Sequence, residues 1–301
     1  MNKVLELKSV NKKIDGRVIL KEIDLHLYEG EILGLVGPNG AGKTTMIKLC
    51  TGLYTLKSGT IKLNNYDISI DYEKALKDCN VVYDKSIFYE HLSGWENIKF
   101  FSHLKGIEDE KKIIEAVKLM KLENRIHDKV KTYSFGMKKR LDIVKSLINN
   151  PKIIIMDEPF NGLDPEGIIE IRKILTRISN EGIAILISSH MLSELANICH
   201  RVVGLNNGQL IGELNINHQI VTLELEVQSP IEVVSLVNKL DMEINIQVCN
   251  NKVRLNVNKR DIPKVNHILI ENNIEIINYD IVETFENKYI DMIGGYSNEV
   301  L

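Results

Sequence analysis

The sequence predicts an α/β fold built on a mixed, mostly parallel sheet, followed by a small α+β domain. Three observations carry that expectation. The apolar run Ile32-Leu33-Gly34-Leu35-Val36 feeds into Gly37-Pro38-Asn39-Gly40-Ala41-Gly42-Lys43-Thr44-Thr45 and then into the helix candidate Met46-Ile47-Lys48-Leu49. That is the strand–GxxxxGK[ST]–helix order of a phosphate-binding loop. Two more runs, Ile153-Ile154-Ile155-Met156 and Ile183-Ala184-Ile185-Leu186-Ile187, lack polar alternation, as strands buried on both faces of a parallel sheet do. From residue 215 onward, short strands and helices succeed one another as β-α-β-β-α-β, a ferredoxin-like pattern. The expected division is 1–214 and 215–301, with a helical subdomain over about 85–150.

The chain-wide quantities limit the function classes. A length of 301 residues fits one large domain and one small one. A net charge of −3 gives no basis for general nucleic-acid binding. Cys50, Cys79, Cys199 and Cys249 lie far apart with no CxxC pair and read as buried thiols. No uncharged apolar run reaches the length of about 20 residues that a bilayer span needs, so any membrane role passes through a partner chain.

Taken in order, Val4–Leu7 and Val18–Leu27 alternate as antiparallel strands ahead of the loop, and Thr60–Leu63 and Val81–Tyr83 read as strands after it. Apolar residues at helical spacing between Trp95 and Glu123 predict two amphipathic helices. A third, Gly136 to Asn149, stops before Pro151. Ile168–Ser179 is helical. In the second domain, strands are expected at 221–227, 243–248, 253–257 and 274–282, and helices at 231–240 and 261–271. A last helix is expected over Glu283 to Ile293.

Glycines at 37, 40 and 42 permit backbone angles that let successive amides turn inward, and the helix N-terminus adds its dipole, so α- and β-phosphates are the expected ligands. Lys43 would reach the β/γ-phosphates and the Thr44 hydroxyl would sit on Mg²⁺. Met156-Asp157-Glu158-Pro159 closes one buried strand. Asp157 is the candidate for holding Mg²⁺ through its waters, and Glu158 for polarising an attacking water. Ser188-Ser189-His190 closes the next strand and offers His190 as a γ-phosphate contact. Ser134 caps the helix that opens Tyr133-Ser134-Phe135-Gly136-Met137-Lys138-Lys139-Arg140.

Together these motifs resemble the nucleotide-binding subunit of an ATP-binding cassette (ABC) transporter, of the bacterial drug and peptide exporter type, over residues 1 to about 213. Tyr133 to Met137 is similar to the YSxGM variant of that family's signature. The resemblance implies ATP and Mg²⁺ as cofactors, Glu158 and His190 as catalytic residues, and a P-loop NTPase cassette with a helical subdomain. It implies that Ser134, Phe135, Gly136 and Met137 face the γ-phosphate bound by a second protomer. Asn161-Gly162-Leu163-Asp164 is similar to the D-loop, which puts Asp164 at that interface. It also implies an integral membrane permease as a separate chain, a homodimer, and a place at the cytoplasmic face of the membrane. Phe88 to Leu92 and Trp95 lie where the family receives its membrane subunit.

Three positions depart from the family pattern. Ile14 stands where an aromatic would stack on adenine, Asp84 where glutamine or glutamate is usual, and Phe135 where the signature has its first glycine. Asp84 is the remaining Mg²⁺ candidate, through water. Lys138 and Lys139 read as a solvated basic face. Two other function classes compete: an ABC ATPase not coupled to transport, and a ligand-sensing module. The single cassette without a basic stripe opposes the first; the presence of Glu158 and His190 opposes the second. Asp280 to Tyr289 is similar to a family tail helix, and the second domain is expected to support dimerisation or regulation.

Overall fold

The computed structural model describes residues 2–107, 109–216, 220–240, 242 and 244–282. The chain divides into two compact units, Met1–Asn215 and Ile216–Leu301.

In the first unit, β1 (Lys3–Ile14) and β2 (Arg17–Tyr28) form a long hairpin. With β4 (Ser58–Leu63) and β5 (Tyr66–Asp67) they make an antiparallel sheet of order β2-β1-β4-β5. The second sheet has the order β10-β9-β3-β8-β7-β6. Its strands are β3 (Ile32–Val36), β6 (Cys79–Val82), β7 (Ile153–Asp157), β8 (Ala184–Ser189), β9 (Arg201–Asn206) and β10 (Gln209–Asn215). All neighbours pair parallel except the β9–β10 hairpin at the edge. β3, β7 and β8 are buried along their whole length, which is why their sequences show no alternation. Leu5, Leu7, Leu25 and Leu27 of the first sheet pack with Met46 and Ile47 and with Leu33, Leu35, Ile155 and Leu186 of the second, so one core joins the two sheets.

Helices α1 (Lys43–Cys50), α2 (Tyr72–Leu76), α3 (Gly94–Leu104), α4 (Glu110–Leu119), α5 (Phe135–Leu147), α6 (Pro165–Asn180) and α7 (Leu192–Ala196) complete the unit. α3 opens with a capping box: Ser93 accepts from the Glu96 amide while the Glu96 carboxylate accepts from the Ser93 amide. α5 opens on Ser134, whose hydroxyl accepts from the Met137 amide at 3.2 Å. Among the described residues no helix is long and apolar enough to cross a membrane.

The second unit holds β11 (Ile220–Val227), α8 (Pro230–Val237), β12 (Asn245–Cys249), β13 (Lys252–Asn258), α9 (Ile262–Glu271) and β14 (Ile276–Val282). The sheet order is β12-β13-β11-β14, with every neighbour antiparallel. Val221, Leu223 and Leu225 bury against Val233, Val265 and Leu269. The opposite side of β11 carries Glu224, which bonds Lys252 and Arg254 of β13. The helix expected over Glu283 to Ile293 lies outside the described residues.

Two side chains stand elsewhere than the sequence predicts. Lys139 is no part of a solvated face: it is fully buried, because its position on α5 turns inward, whereas Lys138 points outward to an ion pair with Glu90. Cys50, Cys79 and Cys199 are buried, but Cys249 is exposed at the end of the edge strand β12.

Candidate functional site

Strands β3, β6, β7 and β8 run in one direction, so their carboxyl ends share a rim, the place where open α/β sheets bind ligands. The register sets Asp157 opposite Ser188 and Val36 opposite Ser189. A cleft of about 450 Å³ opens there, lined by Ile19, Pro38, Asn39, Gly40, Gly42, Lys43, Thr44, Thr45, Asp84, Asp157, Glu158, Asn161 and His190.

The loop from Gly37 is shaped by two constraints of opposite kind. A Cβ at Gly37 would stand 2.1 Å from the Leu205 carbonyl oxygen, while one at Gly40 would meet nothing within 4 Å. Gly37 is therefore dictated by packing behind the loop; Gly40, at φ +85°, leaves its open side to the cleft. Gly42 (φ +112°) begins α1 with no side-chain cap, so the first-turn amides stay available to an anion. Ala41 is buried behind the loop and its amide turns back to Pro38 O at 3.2 Å.

Lys43 Nζ, almost fully buried, donates to Gly37 O at 2.6 Å and lies 3.3 Å from Glu158 Oε1. The other oxygen of that carboxylate, Oε2, is 2.9 Å from His190 Nδ1 and accepts from the His190 amide at 3.3 Å. Glu158 is thus held between a lysine and a histidine at the mouth of the loop. Its own backbone is left-handed at φ +48°, a conformation that non-glycine residues keep only where the surroundings impose it. Here the imposition is visible: the Glu158 amide donates to Ser188 O at 3.2 Å and Ser188 Oγ at 3.0 Å.

Asp157, buried, accepts from Thr44 Oγ1 at 2.9 Å on one oxygen and from Ser188 Oγ at 2.6 Å on the other. The Asp84 carboxylate accepts from Asn161 Nδ2 at 3.2 Å. Ser188 and Asn161 support the site although the sequence assigns neither a role: Ser188 appears there only as part of a strand end, and Asn161 only as the first residue of the stretch similar to the D-loop. Ile14 ends β1 and does not line the cleft, whereas Ile19 does.

The signature residues do not join the cleft of their own chain. Ser134 and Phe135 are exposed at the start of α5, with Gly136 and Met137 half-buried behind them. A Cβ on Gly162 would stand 3.0 Å from the Phe135 ring, so the signature leans on the Asn161–Asp164 turn. Asp164, exposed, caps α6 by accepting from the Gly167 amide at 3.0 Å.

Comparison with known proteins agrees with this geometry. A family model described as ABC transporter matches residues 20–161. The uncharacterized ABC transporter ATP-binding protein YhcH of Bacillus subtilis is 38% identical over 100% of this chain and 99% of its own length. The lantibiotic transport ATP-binding protein SrtF of Streptococcus pyogenes is 36% identical, over 70% of this chain and 90% of its own. Among solved structures, a dimeric post-hydrolysis ATP-binding cassette bound to ADP and Pi matches with a TM-score of 0.64 at 25% identity, over 71% of this chain and 99% of that one. The phosphate loop, the strand-end carboxylates and these likenesses place the chain in the ATP-binding cassette family, as the ATP-binding and ATP-hydrolysing subunit of a transporter.

Proposed function

We propose that this chain forms a homodimer at the cytoplasmic face of a membrane and drives a separate permease chain that exports peptides, toxins or drugs. The observation that carries the proposal is the Glu158 carboxylate, set between Lys43 and His190 at the open side of the loop. A γ-phosphate placed on the loop would compete for the Lys43 ammonium and leave Glu158 to polarise the attacking water, with His190 orienting it. The loop amides and α1 would hold the α- and β-phosphates. Lantibiotic transport, in the name of a relative, is the ground for a peptide cargo.

Mg²⁺ fits the donors present. Thr44 Oγ1 and Asp157 Oδ2 are hard oxygens 2.9 Å apart, and among the described residues no group of three or more His, Cys, Asp or Glu could hold a metal. A cation there would draw its other ligands from phosphate and water, as Mg²⁺ does, with Asp84 reaching it through water. Bound there, it would neutralise charge on the β- and γ-phosphates.

Ser134 supports the two-protomer reading. Its oxygen accepts from the Met137 amide, which leaves its proton to donate to a phosphate across an interface. Asp164 would lie at the same interface. For the membrane partner, the support is an exposed aromatic patch: Tyr89 and Phe100 meet edge-on at 5.2 Å, beside exposed Ile87 and Leu104.

The deciding experiment is ATP turnover and size-exclusion chromatography in ATP for wild type and Glu158→Gln. The variant should lose at least about 100-fold in kcat while running as an ATP-dependent dimer. Turnover by the variant at the wild-type rate removes Glu158 from the reaction.

A further inference from the structure

Lys139 takes part in none of the steps above, yet it is among the largest fully buried side chains of the protein. It projects from α5, just beyond the signature residues. Its Nζ donates to the carbonyl oxygens of Tyr83, at 3.1 Å, and Asp84, at 2.8 Å. The same ammonium lies 5.8 Å from the centroid of the Phe135 ring. The backbone it grips, after β6 ends at Val82 and before α3 begins at Gly94, forms neither strand nor helix.

Burying an ammonium is costly unless its donors are satisfied. Burial pulls the Lys139 pKa below its ordinary value, and the carboxylates of Asp142, Asp84 and Asp157 oppose that pull. An apolar chain of the same length would fill the space without this cost, but it would not hold two carbonyls. The contact joins two parts of the machinery that lie far apart in sequence. On one side stands Asp84, whose carboxylate lines the cleft and accepts from Asn161, while the Asn161 amide reaches Glu158 O. On the other stands the Ser134–Met137 edge.

We propose that Lys139 is a positioning residue that clamps the start of α5 to the backbone of Asp84, so that the Asp84 carboxylate and the signature edge keep a fixed separation. The clamp acts through Asp84 and rests on the proposed role of Asp84 beside the cation. It is short and donor-rich. Movement of α5 therefore carries Asp84 with it, and displacement of Asp84 by ligand carries α5. The state of the cleft is in this way transmitted to the surface that a second protomer would meet.

The test is a double-variant cycle on the full-length chain with MgATP, reading kcat, KM and thermal midpoint. Lys139→Met keeps the length and loses the donors. It should lower kcat about tenfold and change KM for ATP by less than about twofold, because what is lost is alignment and not ground-state binding. Asp84→Asn keeps the carbonyl that Lys139 holds and should lower kcat in the wild-type background. In the Lys139→Met background the same change should cost less than about threefold, since residues acting as a unit are not additive. Full multiplicative losses overturn the clamp and leave the role of Asp84 standing. An Asp84→Asn chain with wild-type kcat overturns both. Lys139→Gln restores N–H donors on a shorter arm and should return kcat to within about threefold of wild type. A folded Lys139→Gln chain more than about tenfold slower overturns the clamp, whether or not Lys139→Met folds.

Discussion

Thr44 Oγ1 donates a 2.9 Å hydrogen bond to Asp157 Oδ2, although 113 positions separate the two residues. The first stands at the start of α1 and the second at the end of β7. The parallel sheet brings them together because β7 ends at Asp157 on the same rim where the loop after β3 turns into α1. A hydroxyl and a carboxylate so placed suit a hard cation that keeps most of its waters. Asp157→Asn removes the charge offered to that cation and keeps the side chain's shape. The half-saturating Mg²⁺ concentration for ATP hydrolysis should rise at least about tenfold, read by initial rates over a Mg²⁺ titration at fixed ATP. An unchanged titration would place the metal elsewhere.

The two loop glycines should fail in different ways. Gly37→Ala drives a Cβ into the Leu205 carbonyl oxygen, at 2.1 Å, so backbone must shift, at a cost of about 1–3 kcal/mol. Gly40→Ala meets no neighbour and costs only the strain of a methyl at φ +85°, about 1–2 kcal/mol. Its methyl would stand in open space beside a cleft that Gly40 lines. Thermal unfolding should therefore rank Gly37→Ala below Gly40→Ala, while ATP binding by fluorescence titration should suffer in a folded Gly40→Ala chain. Wild-type affinity in that chain would mean that phosphate approaches from another side.

The parts of the protein legible in the sequence are those where chemistry sits on a periodic element. Runs such as Ile153–Met156 announce a strand by composition, and the residues just past the carboxyl end of such a strand fall on the ligand rim of a parallel sheet. Asp157, Glu158 and His190 meet there for that reason. The β9–β10 hairpin is marked differently, by its Asn207-Gly208 turn; both residues adopt positive φ, the signature of a tight hairpin. Side-chain direction is harder. Lys138 and Lys139 are adjacent and chemically identical, yet one pairs with Glu90 at the surface and the other is sealed inside. Only the rotation of α5 against its neighbours decides which, and local composition does not encode that rotation. The same holds for Asn161, whose bond to Asp84 depends on where a turn lands.

Glu224, in the second unit, gives a pH-dependent stability. Hydrogen bonds from Lys252, then from Arg254, hold its carboxyl below the usual value of 4.5. A depressed folded value means that the stabilisation is present above the unfolded pKa and disappears as pH falls through the folded one. Glu224→Gln should thus lower the thermal midpoint at pH 7 by about 2 °C. The gap between the two proteins should close as the pH is taken below 4.5, and salt should narrow it at pH 7 because both partners are half-exposed. A gap that widens on acidification would have the wrong sign for this pairing.

Ser188 is the residue whose loss should reveal how the rim is held. Its hydroxyl donates to Asp157 Oδ1 at 2.6 Å and accepts from the Glu158 amide at 3.0 Å. One small side chain therefore fixes both the candidate metal carboxylate and the left-handed backbone of the candidate base. Ser188→Ala removes no charge and no direct contact with a nucleotide. The Glu158 amide keeps its bond to the Ser188 carbonyl, so the backbone should hold, but Asp157 Oδ1 loses a donor while buried, at about 1–3 kcal/mol. The carboxylate then turns toward water or toward the cation. kcat should fall about tenfold, with KM for ATP moving less than about threefold. Ser188→Thr, which keeps the hydroxyl, should retain the rate if the fully buried strand accommodates the extra methyl. A Ser188→Ala chain with unchanged kcat and Mg²⁺ dependence would show that the Thr44 bond and the strand register alone orient Asp157.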